Sequence, residues 1–282
     1  MLALYGVPTA LLLFAAIALA VTLACGGQVI VDRRYRDADA FDYKDAPGPP
    51  IAVVGTLYGV VLGFVTVVTW QQFDATRERV ALETASIADA WHNAVGLPPA
   101  TRTVLRHDML QYSIEMTNAE WPLMKTGRFS PLGDELIMHA TMAVGTARIA
   151  GASAANAQQA TLHLLTDLHD ARSRRLAGNH SGLSWFEWTA LFLGAATVIA
   201  LCWVYGVRGS LTHQLMTGSV AVIIATMFVL IFELQYPFRS DIGIDDTMWR
   251  ATIAHIRVMD KSSMPEMHMG ETSRSTTAAM HM

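Results

Sequence analysis

Four stretches of the chain stay apolar over lengths that reach across a bilayer, and they organise everything else. No side chain from Met1 to Val31 is charged, and Leu2 to Ala24 is almost wholly apolar. About 20 helical residues at roughly 1.5 Å each cross ~30 Å of hydrocarbon, so this is a first candidate span. Its flank has no Lys or Arg and its apolar run exceeds the roughly 7 to 15 residues of a signal-peptide core, which favours an uncleaved helix. The stretch Thr22, Leu23, Ala24, Cys25 has a lipoprotein-like outline, but the leucine sits one position late. Ile51 to Trp70 is the second span, closed by Gln71, Gln72, Phe73 and Asp74. The third, Trp185 to Tyr205, has Trp185, Phe186 and Trp188 at one end and Trp203 and Tyr205 at the other, the aromatic belts of a membrane helix. The fourth, Leu215 to Phe232, ends at Glu233, with Pro237 shortly beyond to stop the helix. Spans three and four form a hairpin through Arg208 to Gln214.

Between Gln71 and Leu183 no apolar run is long enough to span, and helical spacing alternates with breaks. The pattern predicts an extramembrane helical domain. Val80, Thr84, Ile87, Trp91 and Ala94 recur at spacings of four and three, so span two is expected to continue into this domain as one helix until Leu97, Pro98 and Pro99 end it. A second helix is expected from Pro99 towards Trp121 and Pro122. A third opens at Ser130 with Pro131 as its first helical residue. Gly151 to Ala155 reads as a loop or weak helix, and Asn156 to Leu176 as a fourth helix with Leu165 and Leu168 on one face. No period-two alternation occurs, so the expected class is all-α: a polytopic membrane protein of four spans, organised as 1–70, 71–183, 184–233, 234–260 and a tail. The tail, from about Lys261, is rich in Ser, Thr and Met and is expected to be disordered.

Composition sharpens the membrane reading. Charged residues make up 16% and mean hydropathy is +0.32, against roughly 25% charged in soluble domains. The net charge of -4 is spread over both signs, which gives no basic face for nucleic acid. Cys25 and Cys202 lie far apart beside apolar runs, with neither disulfide nor zinc spacing.

One set of residues carries a family pattern. The run Leu57, Tyr58, Gly59, Val60, Val61, Leu62, Gly63, Phe64 leads into Trp70, Gln71, Gln72, Phe73, Asp74, Ala75, then Arg77 and Glu83. Leu97 and Pro98 close that helix. Arg172, Arg174, Arg175 and Leu176 precede span three, and Leu234 to Ile242 follow span four. Over roughly residues 1–247 this resembles the bestrophin-like domain family of bacterial membrane proteins, distantly similar to bestrophin anion channels. In the last piece the family commonly shows Asp and Gly where this chain has Gln235 and Ser240. The resemblance implies a four-helix membrane fold, a homo-oligomer that is pentameric if it follows the bestrophins, and an ion-conducting pore. The alternative is a non-conducting sensor or scaffold whose helical domain binds a partner.

Candidate site residues follow from chemistry. Gly55, Gly59 and Gly63 recur every fourth position with Thr66 in the same sector, a small-residue face that lets helices approach closely in lipid. Packing within the subunit and packing between subunits or around a pore are both open. Glu187 and Glu233 are carboxylates at span margins, where an acid either reaches the interface or serves an ion or proton. His163, Asp167 and Asp170 share a helix face at metal-ligand spacing, which is also what a polar surface face looks like. Met259, Met264, Met267, His268, Met269, Met280, His281 and Met282 offer soft ligands of the Cu(I) type, but their irregular spacing reads as incidental. No P-loop, dinucleotide fingerprint, HExxH, GxSxG or CxxC occurs, so no catalytic residue, metal site or cofactor is assigned.

Four spans place both termini and the helical domain on one side. Near span ends Arg77, Arg79, Arg172, Arg174, Arg175, Arg239 and Arg250 face Arg33, Arg34, Arg36, Lys44 and Arg208. By the positive-inside rule the domain is expected in the cytoplasm of a bacterial inner membrane.

Overall fold

The structure is a computed structural model and describes residues 7–34, 48–179, 182–204 and 211–262. It is all-helical, with no strand among the described residues. In chain order the elements are α1 (Thr9–Arg34), α2 (Gly48–Asn93), α3 (Pro99–Glu115), a π-helical segment (Met116–Glu120), α4 (Trp121–Met124), α5 (Leu132–Gly145), α6 (Ala152–Gly178), α7 (Trp185–Val204), α8 (Leu211–Leu234) and α9 (Thr247–Ser262). Residues 1–77 with 176–244 form one compact unit, and 78–175 with 245–282 form another.

Among the described residues four helices are long and apolar enough to cross a membrane, and the first unit holds them: α1, the leading part of α2, α7 and α8. Helix α1 begins later and ends later than its apolar run suggests. It opens just after Pro8, whose fixed φ and missing N–H suit the entrance of a helix. It continues to Arg34 because α7 supports its end: the Trp203 indole donates to the Ala24 carbonyl (2.7 Å) and lies against Gly27, where a Cβ would stand 2.2 Å from the ring. Leu211 to Gln214, expected in a connection, are the first turn of α8. The Tyr205 end of span three, the Arg208 turn and the Met- and His-bearing tail beyond Ser262 lie outside the described residues.

Helix α8 packs along α1 and against α7. Leu62, Trp188, Leu191, Ile231 and Phe232 form a buried cluster, extended by edge-on contacts of Phe228 with Trp188 and Phe192. Trp188 Nε1 donates to Gln235 Oε1 (3.3 Å). Cys25 and Cys202 are half-buried free thiols.

The second unit is built around α3, which packs on α5 and α9. Helix α2 does run unbroken to Asn93, and a 3-10 turn at Ala94–Gly96 ends it. Arg102 satisfies the carbonyls left free there, donating to Ala94 (3.1 Å), Val95 (2.8 Å) and Leu97 (3.2 Å). Pro99 then occupies the first turn of α3. Pro122 does not end the helix that approaches it. The chain widens to π geometry at Met116–Glu120, which accommodates a residue without an N–H, and continues into α4. Ser130 sits ahead of α5, its hydroxyl accepting from the Leu132 amide (3.4 Å), and Pro131 is the residue before the first full turn. Gly151 takes a φ of +89° at the turn into α6, which starts four residues earlier than its apolar spacing suggests. Leu165 and Leu168 are both buried.

Gly133 in α5 tests this packing. A Cβ there would stand 2.6 Å from the Arg172 guanidinium, whereas at Gly145, in the same helix, it would meet only Leu162 Cδ2 at 4.0 Å. Helix propensity favours Ala over Gly by up to about 1 kcal/mol, less at the two ends of α5 where these residues stand. Gly145→Ala is therefore expected to leave thermal stability unchanged or higher. Gly133→Ala, by displacing a buried cation, is expected to lower it despite the propensity gain. Equal shifts in the two variants would refute the packing argument.

Candidate functional site

Within the first unit, α2 is held along a narrow seam. Tyr58, Leu62, Val65 and Thr69 recur at spacings of four, three and four, hence on one face. Tyr58 Oη donates to the Leu191 carbonyl (3.0 Å), and its ring fills the notch over Gly194, where a Cβ would lie 2.4 Å away. Leu62 and Thr69 are buried. The adjoining sector carries Gly55, Gly59, Gly63 and Thr66. At each of the three glycines an added Cβ would meet nothing within 4 Å. Thr66 returns its hydroxyl to the Leu62 carbonyl (2.8 Å), as side chains do in hydrocarbon when no outside acceptor is at hand. Leu57, Val60, Val61, Phe64, Val67 and Val68 continue round the helix as exposed side chains. No described part of the chain covers this small-residue face.

The two marginal carboxylates have different surroundings. Glu187 caps α7: its Oε2 accepts from the Ser184 amide (2.6 Å) and hydroxyl (2.9 Å), and the Glu187 amide donates back to Ser184 Oγ (3.3 Å). This reciprocal pair satisfies amides that the first turn leaves free. Glu233, at the end of α8, is 3% exposed. The Thr9 and Ser240 hydroxyls lie beside its carboxylate. A cavity of about 950 Å³ between α1, α7 and α8 is lined by apolar side chains, including Leu19, Phe192, Ala225 and Phe228, and offers no group for ion chemistry.

The second unit concentrates its charge inside. Arg175 Nε donates to Glu83 Oε2 (2.6 Å) and Nη2 to Glu83 Oε1 (3.0 Å) and Glu120 Oε1 (2.7 Å). Arg172 donates to Glu120 Oε1 (2.5 Å), Asp134 Oδ1 (2.8 Å) and the Ser130 carbonyl (2.8 Å). Both guanidiniums and both glutamates are fully buried. Tyr112 donates its hydroxyl to Glu83, and Trp249 of α9 packs against Tyr112 and Trp121. Burial lowers the pKa of Arg175, but the charge and hydrogen bonds of Glu83, with Tyr112 and Glu120, together more than offset it and the net direction is up. Burial and the Glu83 charge hold the Tyr112 phenol well above its usual range. His163 and Asp167 do meet, at 2.9 Å on an exposed helix face, while Asp170 lies 3.8 Å from Arg174. No group of three His, Cys, Asp or Glu gathers as a metal site among the described residues.

Comparison with known proteins adds a family to this geometry. The bestrophin-like domain matches residues 18–248. The chain belongs to the bestrophin-like domain family. Mutant crystal structures of a bacterial bestrophin homologue from Klebsiella pneumoniae are similar to this bestrophin-like chain. One is 14% identical with a TM-score of 0.66, covering 87% of this chain and 99% of that one. Another is 12% identical with a TM-score of 0.69, covering 87% and 99%. A crystal structure described as a mutant membrane protein is 15% identical with a TM-score of 0.62, covering 90% and 98%. At such identities the likeness establishes the fold. No curated protein matches.

Sequence reasoning singled out Arg172 and Arg175 only as part of a family pattern and did not find their partners Glu83, Glu120 and Tyr112. It also passed over α9, although Trp249, Ile253 and Ile256 recur at helical spacing and Asp245 stands where a helix start is capped, accepting from the Thr247 hydroxyl (2.6 Å) and amide (3.2 Å).

Glu83→Ala would leave Arg175 buried with half its compensation, an expected cost of about 3–5 kcal/mol to this unit. Tyr112→Phe should cost about 1.5–3 kcal/mol, as for a hydrogen bond to a charged group. Because the folded pKa of Tyr112 lies above the unfolded value of about 10, its contribution is complete below pH 10 and is lost as pH rises further. Thermal unfolding of the wild type should therefore weaken above pH 10 and weaken less in Tyr112→Phe. Parallel alkaline profiles would refute this assignment.

Proposed function

We propose that this bestrophin-like protein is a homo-oligomeric ion channel, of the anion class and pentameric, in which the α2 helices of several copies gather about a common axis. The observation that carries the reading is the open sector of α2. Gly55, Gly59, Gly63 and Thr66 form a face shaped for close approach, and no described residue of the same chain occupies it. In lipid, where apolar side chains gain little by leaving hydrocarbon for one another, such faces persist through backbone packing against a partner helix. The bestrophin fold of the solved neighbours supports the same arrangement. The extramembrane helices are assigned to the cytoplasm on the arginines near the span ends. A reporter fused after Gly178 and active only in the periplasm would overturn that orientation.

Gly59 stands at the middle of the face. Gly59→Leu raises both the hydrophobicity and the helix propensity of the span, so insertion should survive. Since a Cβ at this position meets no described residue of its own chain within 4 Å, a loss of assembly is expected to report on a neighbouring subunit. Native mass spectrometry should give five copies for the wild type and for Val61→Leu, and smaller assemblies for Gly59→Leu. Proteoliposomes of the wild type should pass chloride in a fluorescence-quench assay, with flux falling at least tenfold in Gly59→Leu. A wild type that is monomeric or dimeric and passes no ions would replace this reading with the non-conducting scaffold.

A further inference from the structure

The second unit also carries charge that its internal network does not use. Helix α9 presents Arg250, Ile253, Ala254 and Arg257, spaced i, i+3, i+4 and i+7 and so on one face. Facing them, the end of α3 and the π-helical segment present Ile114, Thr117 and Asn118, again at i, i+3 and i+4. Together they enclose a solvent-open pocket of about 280 Å³.

The polar groups in this pocket are incompletely satisfied. Arg250 donates to Asp246 through Nε (2.8 Å) and Nη2 (2.8 Å), which leaves Nη1 for another acceptor. Arg257 and Asn118 make no hydrogen bond or ion pair among the described residues. Asp260, one turn beyond Arg257, acts on Arg106. Asp246 and Asp245 both act on Arg250, so the cation this pocket offers is chiefly Arg257. The two arginines start roughly 10 Å apart along α9, at about 1.5 Å per residue, a separation that their long side chains can close from either side. Between them Ile114 and Ile253 supply an apolar floor, and both are half-buried.

We propose that this pocket binds a small phosphate monoester with an apolar body. A phosphoryl group offers three terminal oxygens, enough for the Arg257 fork, Arg250 Nη1 and the Asn118 amide, where a carboxylate has two. The alkyl or aryl body lies on Ile114 and Ile253. This site lies within the extramembrane unit and does not depend on conduction.

The test uses full-length protein in detergent and isothermal titration with phenyl phosphate, inorganic phosphate and benzyl alcohol. Phenyl phosphate should bind once per chain, several-fold tighter than inorganic phosphate, and benzyl alcohol should not bind. Arg257→Gln, at an exposed position, should weaken phenyl phosphate at least tenfold without lowering the melting temperature. Ile253→Thr should narrow the preference over inorganic phosphate. Lys125→Gln, a surface cation elsewhere in the unit, should change nothing. Absence of binding at millimolar phenyl phosphate, or binding that survives Arg257→Gln, would overturn the proposal. The second outcome would place the anion elsewhere, including a conduction path.

Discussion

Two arginine side chains with no exposed surface set the terms for the extramembrane unit. A guanidinium removed from water loses several kcal/mol of hydration unless oxygens surround it in the right geometry. Here each segment brings one part of that surrounding: α2 supplies Glu83, α3 Tyr112, the π-helical segment Glu120, the loop before α5 the Ser130 carbonyl, and α5 Asp134. A shift of any one by a turn would strand a charge. The network thus acts more through the penalty on wrong arrangements than through net stability, since apolar residues of similar volume could pack as well. Gly133 and the π-helical segment follow from the same constraint. One leaves room for Arg172, and the other carries the chain past Pro122 while keeping Glu120 buried.

The membrane unit obeys a different rule. With hydrocarbon outside and apolar side chains inside, burial distinguishes little, and fit and hydrogen bonding decide. Its specific contacts are accordingly large rings set over glycines: Trp203 on Gly27, Tyr58 on Gly194 and Tyr236 on Gly182. Indole and phenol donors close on backbone carbonyls at Ala24 and Leu191. Glycines bearing a ring have their partner in the chain. At Gly55, Gly59 and Gly63 of α2 no described residue stands within 4 Å of a Cβ, and that contrast is the physical basis for proposing a contact between copies there.

Much of this was legible in the residues. Spans follow from apolar length alone, because hydrocarbon thickness is fixed and every backbone group must be satisfied within the helix. Helix ends at Pro98, Pro99 and Pro237 follow from local chemistry that needs no distant partner. The family pattern around Leu57 to Glu83 carried the fold. Features depending on neighbours were harder to read. The pattern predicts a second helix of the domain running towards Trp121 and Pro122; the chain instead widens at Met116–Glu120 and continues past the proline into α4.

The sequence by itself therefore determined which segments cross the membrane, where most helices start and stop, and which small residues share a face, since all three are set within a few turns of chain. It did not determine that Glu83 meets Arg175 across 92 positions, that Glu187 closes a helix cap while Glu233 is buried, or that Trp249 belongs to the core. Those were decided by tertiary structure, because desolvation and ion pairing depend on what lies opposite a side chain, and that information is not held in its neighbours along the chain.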